Sequence, residues 1–451
     1  MAAPARSKLI ALTRDLLRDS SSRAWTIMTA ASMARLAVGF VASVLIARAL
    51  GPADLGIYAT LAAVASIVGA FSEFGLTESA VRRIASLWPS ETEKAGEVAA
   101  SYVWARLGLT TLIVASLSAA IGVGALIDVT PWRPLLLLLA LLGVLATGLS
   151  GAVSGLLQST ERFGRLASVM LANSVLTALL ALALYVTGRL TLVTALVVLG
   201  VGTSLTCFGI GYRQLPRSLG LRAPVRSVFV AEARRLLRFG RWLWVANWLA
   251  MLAIQADLIL AGHWLSPVRL GAYALAVSLS SKAGIVNQSL HAALLPAAAS
   301  LSSPDEIRSF LRRGIARSLI VLVCLLLMAP LARPLIPAIF GSGYRSATGI
   351  FLALLAVAAL DLLFAPILML AYTAGRSGLI AAADASRVLT LLAVALVLLP
   401  TVGVYGLVVA KGVASVSGLV VTVVVLREKM RSDGVSVRAL VASNGVEIQP
   451  E

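Results

Sequence analysis

The sequence predicts an all-α polytopic membrane protein of about twelve transmembrane helices, and three observations carry that prediction. Of its 451 residues, 59% are apolar and 13% are charged, with a mean hydropathy of +0.94. A soluble domain of this length needs more charge than that to cover its surface. The apolar residues fall in runs long enough to cross a bilayer, which takes roughly 20 helical residues. Finally, Lys and Arg are concentrated in the short segments between those runs, the pattern of membrane topology.

The elements follow in order from runs and breakers. The expected spans are 24–50, 55–84, 98–124, 134–158, 165–187, 191–213, 239–264, 268–297, 315–340, 347–374, 377–399 and 402–426. Gly51-Pro52 and Ser266-Pro267 mark tight turns that join helix pairs. Residues 1–23 are hydrophilic, and the run after them is too long for the core of a cleavable signal peptide. Leu9, Leu12, Leu16 and Leu17 there share a helical face against Arg14 and Arg18, as in a short interfacial helix. Cys207 and Cys324 lie inside apolar runs and read as buried small hydrophobes.

The net charge of +18 does not mark a nucleic-acid binder, because it is dispersed over short loops rather than gathered on one face. Most of the 38 Lys and Arg residues sit in the N-terminal segment, the even-numbered loops and the C-terminal tail. That bias places both termini in the cytoplasm and the short odd-numbered loops outside. The longest cytoplasmic connection, 214–238, carries Arg217, Arg222, Arg226, Arg234, Arg235 and Arg238. Val228, Leu236 and Phe239 recur among the arginines at helical spacing, which reads as a basic amphipathic helix on an anionic leaflet. The expected organisation is an N-terminal segment (1–23), a six-helix bundle (24–213), this linker (214–238), a second six-helix bundle (239–427) and a cytoplasmic tail (428–451).

The two bundles are read as copies of one unit. Pro52, Leu55, Gly56, Tyr58 and Ala59 recur without a gap as Pro267, Leu270, Gly271, Tyr273 and Ala274. Each set lies at the turn between the first two helices of its half, and an even number of spans per half makes the repeat parallel.

The stretch from Ile46 through Arg48, Gly51, Pro52, Asp54 and Gly56 to Tyr58 resembles the first-turn signature of the oligosaccharide (Wzx-type) flippases. These belong to the multidrug/oligosaccharidyl-lipid/polysaccharide (MOP) exporter superfamily. Further matches follow in order: Glu73-Phe74-Gly75-Leu76 with Val81 to Ala85, Gly155 to Gln158 with Glu161 and Phe163, and Leu236 to Gly240. Phe340-Gly341 with Tyr344, and Leu399-Pro400 with Gly403, Tyr405 and Gly406, complete the set. The resemblance implies a MATE/MOP-like, V-shaped pair of six-helix bundles that opens alternately to each side of the membrane. It implies as substrate an oligosaccharide held by pyrophosphate on a polyprenyl carrier, with membrane lipids and glycan polymerases or glycosyltransferases as partners. Stopping at twelve spans favours the polysaccharide branch over the lipid II flippases, which carry two more helices.

Charges within spans mark candidate sites, because an ion at mid-bilayer costs at least about 2.5–3.5 kcal/mol. Arg106 lies near a span end, where a long side chain can snorkel. Arg387 follows Asp384 at i+3, a local ion pair. Arg35 and Lys282 lie near their span midpoints, and Ser278 shares the face of Lys282. With Asn287 and Gln288 they form the expected cationic, hydrogen-bonding substrate surface, suited to a pyrophosphate; the competing reading pairs them structurally with buried acids. Lys411 is equally deep and open to either reading. Glu73, Asp257 and Asp361 are the candidates for binding a coupling H⁺ or Na⁺, or for neutralising a nearby cation.

A multidrug exporter of the same superfamily is the alternative, but few aromatics and mid-span cations disfavour cationic drugs. Short outer loops, and two histidines (His263 and His291) without metal-ligand spacing, disfavour an enzyme, a metal site or a cofactor.

Overall fold

The computed structural model of the protein describes residues 20–126, 134–220, 222–282, 304–373 and 377–432. Every regular element among them is helical. The helices are α1 (Ser20–Glu73), α2 (Leu76–Leu87), α3 (Thr92–Leu126), α4 (Pro134–Ser159), α5 (Phe163–Val186) and α6 (Leu192–Gln214). They continue with α7 (Arg226–Trp264), α8 (267–282), α9 (Pro304–Met328), α10 (Ala332–Phe340), α11 (Ala347–Thr373), α12 (Ser377–Val402) and α13 (Val404–Ser432). Nine of the described helices are long and apolar enough to cross a membrane, and α1 is long enough to hold two of the expected spans. The chain is a multi-pass membrane protein.

Several boundaries depart from the sequence reading for identifiable reasons. Span two does not run on to residue 84. Phe74 and Gly75 take left-handed backbone (φ 51° and 65°), which ends α1 and starts α2 as a separate short helix. The first turn is where Gly51-Pro52 places it: Gly51, at φ 68° and ψ 176°, kinks α1. Span nine is divided, with α9 passing through a tight turn at Ala329–Leu331 into α10. The second part of the basic linker is helical, as its spacing predicts, but it is continuous with span seven in α7. Expectations on residues 1–19, on much of span eight and on the tail beyond 432 lie outside the described residues.

The chain divides into two compact units. The first comprises Met1–Ala49 and Val68–Trp244; the second comprises Leu50–Ile67 and Val245–Glu451. The division differs from contiguous halves in that the segment after the Gly51 kink packs with the later helices, while the basic start of α7 packs with the earlier ones.

In the first unit, Leu76, Ala80 and Ile84 of α2 meet Val98, Tyr102 and Val103 of α3 and Leu156 of α4 in a buried core. Ala233 and Leu236 of α7 are buried in the same core, with Phe229 and Leu237 packed against it. The apolar stripe of the basic segment is thus covered by protein, and Phe239 on its edge is exposed. Two glycines make this docking possible. A Cβ on Gly75 would sit 2.3 Å from the carbonyl oxygen of Gly240, and one on Gly240 would sit 2.6 Å from that of Gly75. Phe74 stacks on Trp244 at 4.9 Å, and the Trp244 indole donates to the Phe71 carbonyl at 2.8 Å. Cys207 is buried beside Val153, Leu157, Leu166 and Val169, as expected, and donates weakly to Asn173 Oδ1 at 3.3 Å.

In the second unit, the two copies of the repeated motif meet. A Cβ on Gly56 would lie 2.7 Å from the Gly271 nitrogen, and one on Gly271 would lie 1.7 Å from the Pro52 oxygen. Gly56 and Gly271 are equivalent positions of the repeat, so this contact joins like to like. Thr60 adds a hydrogen bond from Oγ1 to the Leu258 carbonyl at 3.4 Å. Gly403 (φ 67°) turns α12 into α13, and these two helices form a hairpin.

Candidate functional site

The deep charges divide into those that find acids and those that do not. In the first unit, Arg106 is held by Glu73, Tyr102 and Thr77. Its Nη1 lies 3.1 Å from Glu73 Oε1 and donates to Tyr102 Oη at 3.0 Å and to Thr77 Oγ1. The side chain is 12% exposed. Arg106 therefore pairs inside the bundle instead of snorkelling, because a carboxylate one helix away neutralises it where it stands. Glu73, a candidate for ion coupling, is half of that ion pair.

Asp257 on α7 is completely buried in the second unit. Its Oδ2 accepts from Lys411 Nζ of α13 at 2.7 Å and from the Tyr273 hydroxyl of α8. One carboxylate thus ties three helices together, and Lys411, whose role the sequence left open, is its counter-ion. Arg387 pairs with Asp384 at 3.6 Å on the same helix, as the i+3 spacing predicts. Asp361 on α11 lies near Ser415 and within electrostatic reach of Arg387 and Lys411. Three acids and two bases therefore share one polar region of the second unit.

Arg35 and Lys282 stand apart. Lys282 on α8 donates to the carbonyl (3.2 Å) and hydroxyl (3.1 Å) of Ser278, one turn back on its own helix. Its amino group meets no carboxylate among the described residues. Arg35, in the α1 segment of the first unit, has a buried Nε without a hydrogen-bond partner among them. Asn287 and Gln288 lie outside the described residues. The structure thus places Ser278 beside Lys282, and it puts Arg35 and Lys282 in different units.

Residues 21–302 match the family described as polysaccharide biosynthesis protein. The chain belongs to that family. No curated protein matches it. Among solved structures, it is similar to an inward-facing multidrug resistance MATE family transporter of the MOP superfamily, with a TM-score of 0.64 at 15% identity. That alignment covers 91% of this chain and 96% of the other. It is similar to the lipid II flippase MurJ in an inward closed conformation, with a TM-score of 0.64 at 12% identity, covering 89% of this chain and 87% of that one. A MATE transporter of Vibrio cholerae aligns with a TM-score of 0.57 at 14% identity, covering 93% and 98%. At these identities the likeness is one of fold: this polysaccharide biosynthesis protein has the MATE/MOP-like architecture expected from its sequence.

Sequence reasoning missed Tyr273 and Tyr102 as the hydroxyls that complete the two buried ion pairs. Tyr273 was visible only as a repeat identity, and nothing local to Tyr102 announces that Arg106, one turn on, reaches a carboxylate on another helix. It also missed a pocket in the first unit lined by arginines of α2 and α7.

Proposed function

We propose that this protein is a flippase that moves a polyprenyl-pyrophosphate-linked oligosaccharide across the cytoplasmic membrane by alternating access, for surface polysaccharide synthesis. One observation carries the reading. Of the deep cations named from the sequence, Arg106, Arg387 and Lys411 have carboxylate partners, whereas among the described residues Lys282 is held only by Ser278 and Arg35 keeps a buried, unpartnered Nε. A half-buried cation with no acid beside it keeps its charge available to a ligand, and a pyrophosphate that sheds water in crossing needs such charges. Arg35, in one unit, and Lys282, in the other, each serve as a pyrophosphate contact during the crossing. Glycan synthesis as the family's role supports this substrate over a cationic drug. Asp361 is the carboxylate best suited to bind a coupling ion, since Glu73 and Asp257 are each committed to a close pair. Both termini lie in the cytoplasm.

The test measures lipid-linked glycan remaining on the inner leaflet of cells carrying folded, normally inserted variants. Arg35→Ala and Lys282→Ala each slow flipping by roughly tenfold or more, the value of one charge-assisted hydrogen bond. Arg35→Lys keeps more activity than Arg35→Ala because it keeps the charge. Parental rates in both alanine variants would overturn the reading.

A further inference from the structure

The arginines of the first unit converge where topology alone would not require it. Arg82 and Arg83 of α2 and Arg234, Arg235 and Arg238 of α7 line one cavity of 920 Å³, with Phe239 at its edge. Both helices owe their proximity to the Gly75–Gly240 contact and to Leu236 in the shared core. The two sequence motifs concerned, Phe74-Gly75 with Arg82-Arg83 and Arg238-Phe239-Gly240, are therefore two walls of one structure.

Among the described residues, the lining contains five guanidinium groups and no carboxylate. Glu232, the nearest acid along α7, meets Arg235 at the long distance of 4.0 Å. Arg83 Nε is buried without a hydrogen-bond partner among the described residues, and the Arg82 guanidinium lies over the Phe239 ring at 4.9 Å. Arginines needed only to orient a membrane protein can spread apart into water. Gathering them repels like charge against like charge, and an anion that enters relieves that repulsion.

We propose that this pocket binds the diphosphate of a membrane-anchored lipid on the cytoplasmic side, as a loading site distinct from Arg35 and Lys282; the proposal rests on the flippase reading. Two adjacent phosphoryl groups offer more acceptor oxygens and more negative charge to several guanidinium forks than a single phosphate does. The volume lies within the roughly 300–1,000 Å³ common for ligand sites. The lipid source follows from what surrounds the mouth. Phe239 is 46% exposed, and one turn further on Trp242 is 68% exposed beneath Arg241. Exposed aromatics beside arginines mark the headgroup level of a bilayer, where a lipid reaches the pocket sideways.

The experiment uses the full chain in phosphatidylcholine nanodiscs and arginine modification by phenylglyoxal, read site by site by mass spectrometry. The probes are polyprenyl diphosphate, polyprenyl monophosphate and soluble pyrophosphate. The diphosphate lipid is expected to protect Arg82, Arg234 and Arg235 at concentrations at least about tenfold lower than the monophosphate lipid, as loss of one charge-assisted contact implies. Arg82→Gln with Arg234→Gln weakens protection of Arg235 by at least about tenfold, and Arg82→Lys with Arg234→Lys by less. Protection by soluble pyrophosphate alone would overturn the lipid source. Protection of Arg35 without protection of the pocket would overturn the loading site and leave the flippase reading standing. No protection at either place would overturn both.

Discussion

Asp257 gives the sharpest contrast between a coupling carboxylate and a structural one. It is wholly enclosed and meets Lys411 and Tyr273 through one oxygen. Removing one member of such a pair leaves a buried charge uncompensated, at a cost of about 3–5 kcal/mol. Asp257→Asn therefore lowers the thermal unfolding temperature of the purified protein, and adding Lys411→Met restores much of it by removing the orphaned cation. A coupling role without a structural one predicts the reverse: unfolding at the parental temperature and loss of transport alone. The local pair of Arg387 and Asp384 was legible in the sequence because both partners sit within one helical turn. That of Asp257 and Lys411 was not, since ion pairs between distant spans leave no periodic trace. Deep charges can be found by reading along a chain, but their partners on other helices cannot.

At the scale of the element, hydropathy located the apolar helices because each must satisfy its backbone internally and face lipid. It could not locate breaks caused by single residues of left-handed backbone, such as Phe74 and Gly75, within an otherwise apolar run. It also placed a boundary at the arginines of 234–238, because charge ends an apolar window even where the helix continues from Arg226 to Trp264. Glycine is different, since the repeat made Gly56 and Gly271 visible and packing explains their presence. A Cβ on Gly271 would lie 1.7 Å from a backbone oxygen that cannot rotate away, so α8 and the second part of α1 must separate. Gly271→Ala is expected to cost about 1–3 kcal/mol, in the range of overpacked cores. Gly108 on α3 has nothing within 4 Å of the corresponding position. Gly108→Ala is then neutral or slightly stabilising by helix propensity. Thermal unfolding in detergent of the two variants side by side checks the difference; equal stability would mean that the repeat does not join at Gly271.

For the whole molecule, topology follows from where positive charge can remain. Cytoplasmic loops retain Lys and Arg, and short outer loops are translocated only if they carry few. The basic segment opening α7 follows six expected spans and the tail follows twelve, so an even count returns the chain to the same side each time. Reporter fusions after residue 225 and at the C-terminus are accordingly expected in the cytoplasm. A fusion near Gly343, in the short turn at Ser342–Tyr344, is expected outside. This arrangement also decides whether the arginine pocket can work as a loading site. Arg82 and Arg83 follow the second expected span and Arg234 to Arg238 precede the seventh, so both walls belong to one face, which is the cytoplasmic one in the proposed orientation. Were the reporters to place residue 225 outside, the pocket would face the wrong leaflet and the loading proposal would fall with the orientation. Were residue 225 and the C-terminus to report opposite sides, an odd number of spans would separate them, and the parallel relation between the halves would be lost as well.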